Sequence, residues 1–160
     1  MNLNSLDIET AVASYFDWRV NMIVPNISWG LGIHECDLLI VSKAGYCTEV
    51  EIKVSKSDLK ADLKKRHGHK SRLIKKLYFA IPDYLQDCVE LIPARAGIIT
   101  VTSDGRQRCK CIRKPEITAA RKLTSEQYLH LGRLASMRIW GIKQALKYKT
   151  KAIDIEKVMF

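Results

Sequence analysis

The most constraining feature of this chain is a turn at Lys43-Ala44-Gly45, with an apolar run before it and a strictly alternating run after it. Leu38, Leu39, Ile40 and Val41 precede the turn. Beyond it Val50, Ile52 and Val54 alternate with Glu49, Glu51 and Lys53, the period of a strand with two unlike faces. Gly45 can take the positive φ that a tight turn asks for. The pattern predicts a β-hairpin. If it turns near Ala44, residues equidistant from that point face each other, and Asp37 stands opposite Glu51. Opposed side chains in an antiparallel pair have Cβ atoms about 4.5–5.5 Å apart, so two carboxylates there repel unless a cation lies between them. Lys53 lies two residues past Glu51 and projects from the same face. Two acids and a lysine on one face suit a hard divalent metal with a neighbouring proton acceptor or cationic stabiliser.

Acid-base alternation on a strand ordinarily marks a solvated face. What argues for more is the sequence that follows. From Lys53 to Lys76 there are ten Lys or Arg against two Asp, a surplus of eight in a chain whose net charge is +10. Nearly all the excess charge therefore sits beside the proposed acids, and such a concentration is expected to meet phosphates. Lys56, Lys60 and Lys64 recur at helical spacing behind a capping-box-like Ser55/Asp58, with Leu59 and Leu63 expected to pack inward and the helix expected to reach about Arg66. Lys65, Arg66, His67, His69, Lys70 and Arg72 complete the expected nucleic-acid-binding surface. Ser55 either reaches a phosphate or the metal shell, or caps this helix. A zinc site pairing His67 and His69 with Cys109 and Cys111 is rejected, because one intervening residue is tighter than the usual zinc spacings.

Asp37, followed after a hairpin by Glu51-Ile52-Lys53, resembles the Asp…(Asp/Glu)-x-Lys signature of the PD-(D/E)XK nuclease superfamily. The longer string Glu51-Ile-Lys-Val-Ser-Lys-Ser-Asp-Leu-Lys-Ala-Asp62 is similar to the MmcB-like DNA-repair-associated proteins, a group of small bacterial and phage proteins within it. The resemblance covers roughly residues 9–100, and Cys36 stands where the superfamily name has proline. It implies a metal-dependent deoxyribonuclease acting in DNA repair, recombination or phage DNA processing. In that reading Asp37 and Glu51 hold Mg²⁺ or Mn²⁺ with the Ile52 carbonyl as third ligand, and Lys53 orients water or offsets charge on the phosphorane. Glu9 on the first helix would add an acid to the cluster, unless it only serves the helix dipole. Glu35, sharing parity with Asp37, has an open supporting role. Two rival readings are a non-cleaving DNA-binding protein of the same fold and an RNA-binding or assembly module with a structural metal.

The remaining elements follow from periodicity. Ser5–Trp18 is expected to be a helix burying Ile8, Val12, Tyr15 and Phe16, and Met22–Trp29 an edge strand, since Pro25 has no amide to donate. Leu77–Ile81 is a continuous apolar run expected at the sheet centre, and Tyr84–Val89 a short helix. Residues 96–102 and 108–113 flank Ser103-Asp104-Gly105 as a second hairpin. Thr124-Ser-Glu-Gln127 opens the longest helix, with a stripe of Tyr128, Leu131, Ala135, Ile139, Ile142 and Leu146. Packing is the first expectation for that stripe, and a homodimer through the C-terminal helix the second.

The order predicts an α/β chain. With the resemblance it becomes a restriction-endonuclease-like αβββαβ core with a mixed sheet, an extra β-hairpin and a long C-terminal helix. The 160 residues are expected to form a single nuclease-like domain, its core at about 5–113 and a helical extension at about 114–160. The charge excess and pI near 9.5 favour nucleic acid or an anionic membrane surface as partner, and with the resemblance DNA is the partner expected. No apolar run approaches the roughly 20 residues of a membrane span. The N-terminus lacks the basic start and apolar core of a signal peptide. An odd five cysteines suit reduced thiols, and a cytoplasmic protein is expected.

Overall fold

The computed structural model of the chain describes residues 2–27, 31–64, 69–104, 106 and 108–158, with side chains through 149. It divides into two compact units, Met1–Thr124 and Ser125–Phe160.

The first unit is a six-stranded mixed sheet with helices against it. Helix α1 (Ser5–Tyr15) opens with a reciprocal capping box: Asp7 accepts from the Asn4 amide at 2.9 Å and Asn4 from the Asp7 amide at 3.0 Å. It stops short of Trp18 because Asp17 turns into the left-handed region (φ 53°), while the Asn21 side chain donates to the Phe16 carbonyl at 2.6 Å. Ile8 and Val12 are fully buried, but Tyr15, expected in the core, is 45% exposed. Strands β1 (Met22–Ile27), β2 (Cys36–Val41) and β3 (Cys47–Ile52) form an antiparallel meander. Helix α2 (Lys56–Asp62) then crosses to β4 (Ile74–Pro82), which lies parallel to β3. A 3₁₀ segment (Asp83–Leu91) leads to β5 (Gly97–Val101), parallel to β4, and β6 (Cys109–Arg113) returns antiparallel. The strands lie side by side in sequence order, so β3 and β4 are central and β1 and β6 are the rims.

Pro25 sits on the β1 rim as expected, and Asn26 beside it has φ 53°. Gly105 and Trp29 lie outside the described residues.

Alternation along the strands builds two cores. On the α1 face Leu38 and Ile40 of β2, Val50 and Ile52 of β3, Ala80 of β4, and Ile99 and Val101 of β5 pack with Leu3, Ile8, Ala11 and Val12. On the α2 face the core is Leu59 of α2 with Leu77, Phe79 and Ile81 of β4, Ile98 of β5, and Cys88, Ile92 and Ala96. In β3 both faces are closed over, and Glu49 and Glu51 are 0% exposed. The expectation of a solvated acid row is therefore corrected: a strand joined to its parallel neighbour by a helical crossover is covered on both sides.

Residues 114–123 run along the first unit, where the Thr118 amide donates to the Lys75 carbonyl (3.0 Å) and the Leu123 amide to that of Gly45 (3.0 Å). The second unit is helix α3 (Ser125–Val158). Of its apolar stripe Leu131 is buried, whereas Ile139, Ile142 and Leu146 are exposed, together with Met137 and Trp140. No helix among the described residues is long and apolar enough to cross a membrane.

Candidate metal centre and nucleic-acid interface

The β2–β3 register is centred on Ala44, with Leu38 opposite Val50 and Val41 opposite Cys47. Gly45 takes φ 86° at the turn, and its amide closes the loop onto the Ser42 carbonyl at 2.8 Å. The ladder ends at that Leu38–Val50 pair, and Asp37 and Glu51 lie one residue beyond it on the two strands. Asp37 Oδ2 accepts the Ile52 amide at 2.7 Å, which fixes the carboxylate across the strand end. The cation between the acids is Lys53. Its Nζ lies 2.8 Å from Glu51 Oε2, 3.1 Å from Asp62 Oδ1 and 3.9 Å from Asp37 Oδ2.

Burial of the Lys53 ammonium works against its charge, but Glu51, Asp62 and Asp37 outweigh this and hold its pKa above the usual lysine value. Lys53 is thus a cation at neutral pH and not a proton acceptor. The Asp37 side chain, 40% exposed, is the open side of the group.

Glu9 belongs with this group. Burial first, and then the Asp37 charge, push its carboxyl above the usual range, so the α1 acid lies within electrostatic reach of Asp37. Glu35 does not belong: it is exposed in the segment before β2.

Three residues beneath these, His34, Glu49 and Asp62, were not assigned to the site from sequence, and a fourth, His69, was assigned to the DNA surface. Glu49 Oε1 is 2.8 Å from His34 Nε2 and 2.7 Å from His69 Nδ1. The other nitrogen of His69, Nε2, is 2.7 Å from Asp62 Oδ2. Helix α2 presents Asp62 inward three residues after Leu59, and Leu63, expected to pack, is 57% exposed. His69 takes φ 55°, held by Arg95 donating to its carbonyl at 2.9 Å, and its ring stands edge-on to Phe79.

His69 was expected on a phosphate but is 2% exposed, walled in by acids. Burial lowers its pKa, yet hydrogen bonds to Asp62 and Glu49 prevail and push it up to about 9. Burial raises Glu49, and the two histidines more than offset that, leaving it below the usual carboxylate range.

Around this centre Lys56, Lys60, Lys64, Lys70 and Arg72 are all exposed. Lys65, Arg66 and His67 lie outside the described residues. Ser55 caps α2, accepting from the Asp58 amide at 3.2 Å, so the capping role is the one observed. Helix α2 ends at Asp62, about one turn short of Arg66, with Leu63 as its cap.

The donor set suits a hard cation at Asp37 and Glu51. Carboxylate oxygens of both residues converge on the Lys53 ammonium, so positive charge is already favoured at that point.

No family model matches this chain, and no curated protein matches it. Among solved structures it is similar to a protein of unknown function from Silicibacter pomeroyi, with a TM-score of 0.64 and 19% identity over 92% of this chain and 94% of that one. At that identity the likeness establishes the fold alone: a mixed α/β fold with a six-stranded mixed sheet and a C-terminal helix.

Proposed function

We propose that the chain is a metal-dependent deoxyribonuclease of the PD-(D/E)XK kind, with Asp37, Glu51 and Lys53 at its centre. The observation that carries this reading is their convergence: carboxylates from the adjoining ends of β2 and β3 meet the Lys53 ammonium, at 3.9 Å from Asp37 and 2.8 Å from Glu51. The element order α1, β1, β2, β3, α2, β4 agrees with the αβββαβ core the resemblance implies. Asp37 and Glu51 would hold Mg²⁺ or Mn²⁺ with the Ile52 carbonyl, and the ion would supply phosphoryl polarisation and a nucleophilic water. Glu9 stands on the Asp37 side and can accept a proton, its carboxyl being the group held above its ordinary range. Lys53, permanently charged, balances negative charge that develops on the phosphate. The exposed Lys56, Lys60, Lys64, Lys70 and Arg72 would carry the DNA backbone.

A second reading, DNA binding without cleavage, is favoured by one specific observation. Lys53 already forms ion pairs with Glu51 at 2.8 Å and Asp62 at 3.1 Å, which offset part of their charge without a metal. Labelled linear and branched DNAs incubated with Mg²⁺ or Mn²⁺ separate the two. Cleavage abolished by EDTA and by Asp37→Asn is expected. Binding without cleavage on every substrate would leave the second reading.

A further inference from the structure

The buried histidines and Glu49 form a site of different chemistry from the oxygen donors at Asp37 and Glu51. Glu49 Oε1 takes contacts from His34 Nε2 at 2.8 Å and His69 Nδ1 at 2.7 Å, so three potential ligand atoms from three segments face one point. All three lie within 4.8 Å of one another. The second Glu49 oxygen, Oε2, is buried with no hydrogen-bond partner among the described residues. Leaving such an atom unpaired costs about 1–3 kcal/mol, more for a charged group, and calls for a countercharge. His69 is further arranged as metal-bound histidines are, with the remote nitrogen held by a carboxylate, Asp62, at 2.7 Å.

We propose that His34, Glu49 and His69 are the ligands of a borderline divalent transition-metal ion such as zinc, with Asp62 orienting His69. Two imidazoles and one carboxylate form a donor set suited to that class rather than to Mg²⁺. Ligand atoms around a tetrahedral zinc at about 2.0–2.2 Å stand about 3.3 Å apart, so the hydrogen-bonded atoms need to separate by only about half an ångström. The neighbouring group of Glu51, Asp62 and His69 offers one imidazole and two carboxylates, a harder donor set that suits this class of ion less well. The ion would tie β3, the segment before β2 and the segment after α2 into one piece. It does not require that Asp37 and Glu51 hold a metal.

The test uses the full chain, stripped with EDTA and titrated with Co²⁺ while visible absorption is recorded. One equivalent should produce d–d bands of a low-coordinate, nitrogen-ligated ion, and Zn²⁺ should displace it. His34→Ala and Glu49→Gln should each weaken binding at least about tenfold, and Asp62→Asn about 10–100-fold. Asp37→Ala should leave these nitrogen-ligated bands unchanged, so loss of nuclease activity and loss of this site are read separately. Should the buried variants fail to fold, imidazole NMR of the unaltered chain decides: Zn²⁺ must shift the signals of His34 and His69 and spare His130. Absence of the bands or of those shifts overturns the site. So does Co²⁺ binding that Asp37→Ala abolishes and His34→Ala does not.

Discussion

The two faces of β3 are built from the same six-residue strand and could hardly differ more. Toward α1 it offers Val50 and Ile52 to an unbroken apolar layer. Toward α2 it offers Glu49 and Glu51, continued by Lys53, next to a β4 row of Leu77, Phe79 and Ile81 that is apolar. One face gains free energy on burial. The other must compensate buried charge with two histidines, a lysine and Asp62. Apolar packing and buried charge are thereby assigned to opposite sides of a single strand, and changes to each side should read out differently.

The sharpest contrast should come from the charged side. Glu51→Gln keeps the shape and an acceptor for Lys53 but removes the charge, and cleavage of labelled DNA in Mg²⁺ should fall below detection while the far-UV circular dichroism is unchanged. Next in size is Lys53→Ala. Turnover should drop about 10²–10⁴-fold, whereas Mn²⁺ affinity by calorimetry should hold or improve, since a competing cation has gone. Stability should also suffer by about 3–5 kcal/mol, as three acids lose their common partner. Removing the Glu51 side chain would also cost stability in the metal-free protein, because Glu51 is the closest partner of a buried lysine.

On the apolar side, Ile99→Ala should cost about 2–5 kcal/mol in urea unfolding with cleavage per folded molecule preserved. Smaller still is the effect of Lys56→Gln, Lys60→Gln and Lys64→Gln combined. The slope of log affinity against log salt should flatten by up to about 0.9 per lost phosphate contact, and an unchanged slope would move the DNA elsewhere. The mildest test is titration in EDTA. His69 is raised in the folded state to about 9 from an ordinary value of 6.5, so its contribution is complete below about 6.5. Stability should therefore decline as pH climbs through about 9, and His69→Gln should remove that decline.

Sequence reasoning reached the β2–β3 hairpin, which brings Asp37 and Glu51 to one lysine, because side-chain period and a single glycine fix a hairpin register. It missed the Glu49 cluster for a physical reason. A histidine twenty residues away in a basic run looks like a phosphate ligand until the backbone at φ 55° turns it under the sheet. Glu49 itself was legible in principle: the helical crossover between β3 and β4 means β3 is closed on both faces, and three ionisable residues at alternate positions there must find partners. The end of α2 was not legible, because Leu63 continues the apolar spacing and no glycine stops the helix before Asp62.

The rims of the sheet bear on how the molecule behaves in a crowd. At β1 a proline that offers no amide is followed by Asn26 in the left-handed region, which interrupts the ladder another strand would need. At β6 the outermost strand carries Lys110 and Arg113, with Arg108 at its mouth, so two like edges repel. Copies held at high local density therefore have sheets that resist fusing edge to edge into fibrils.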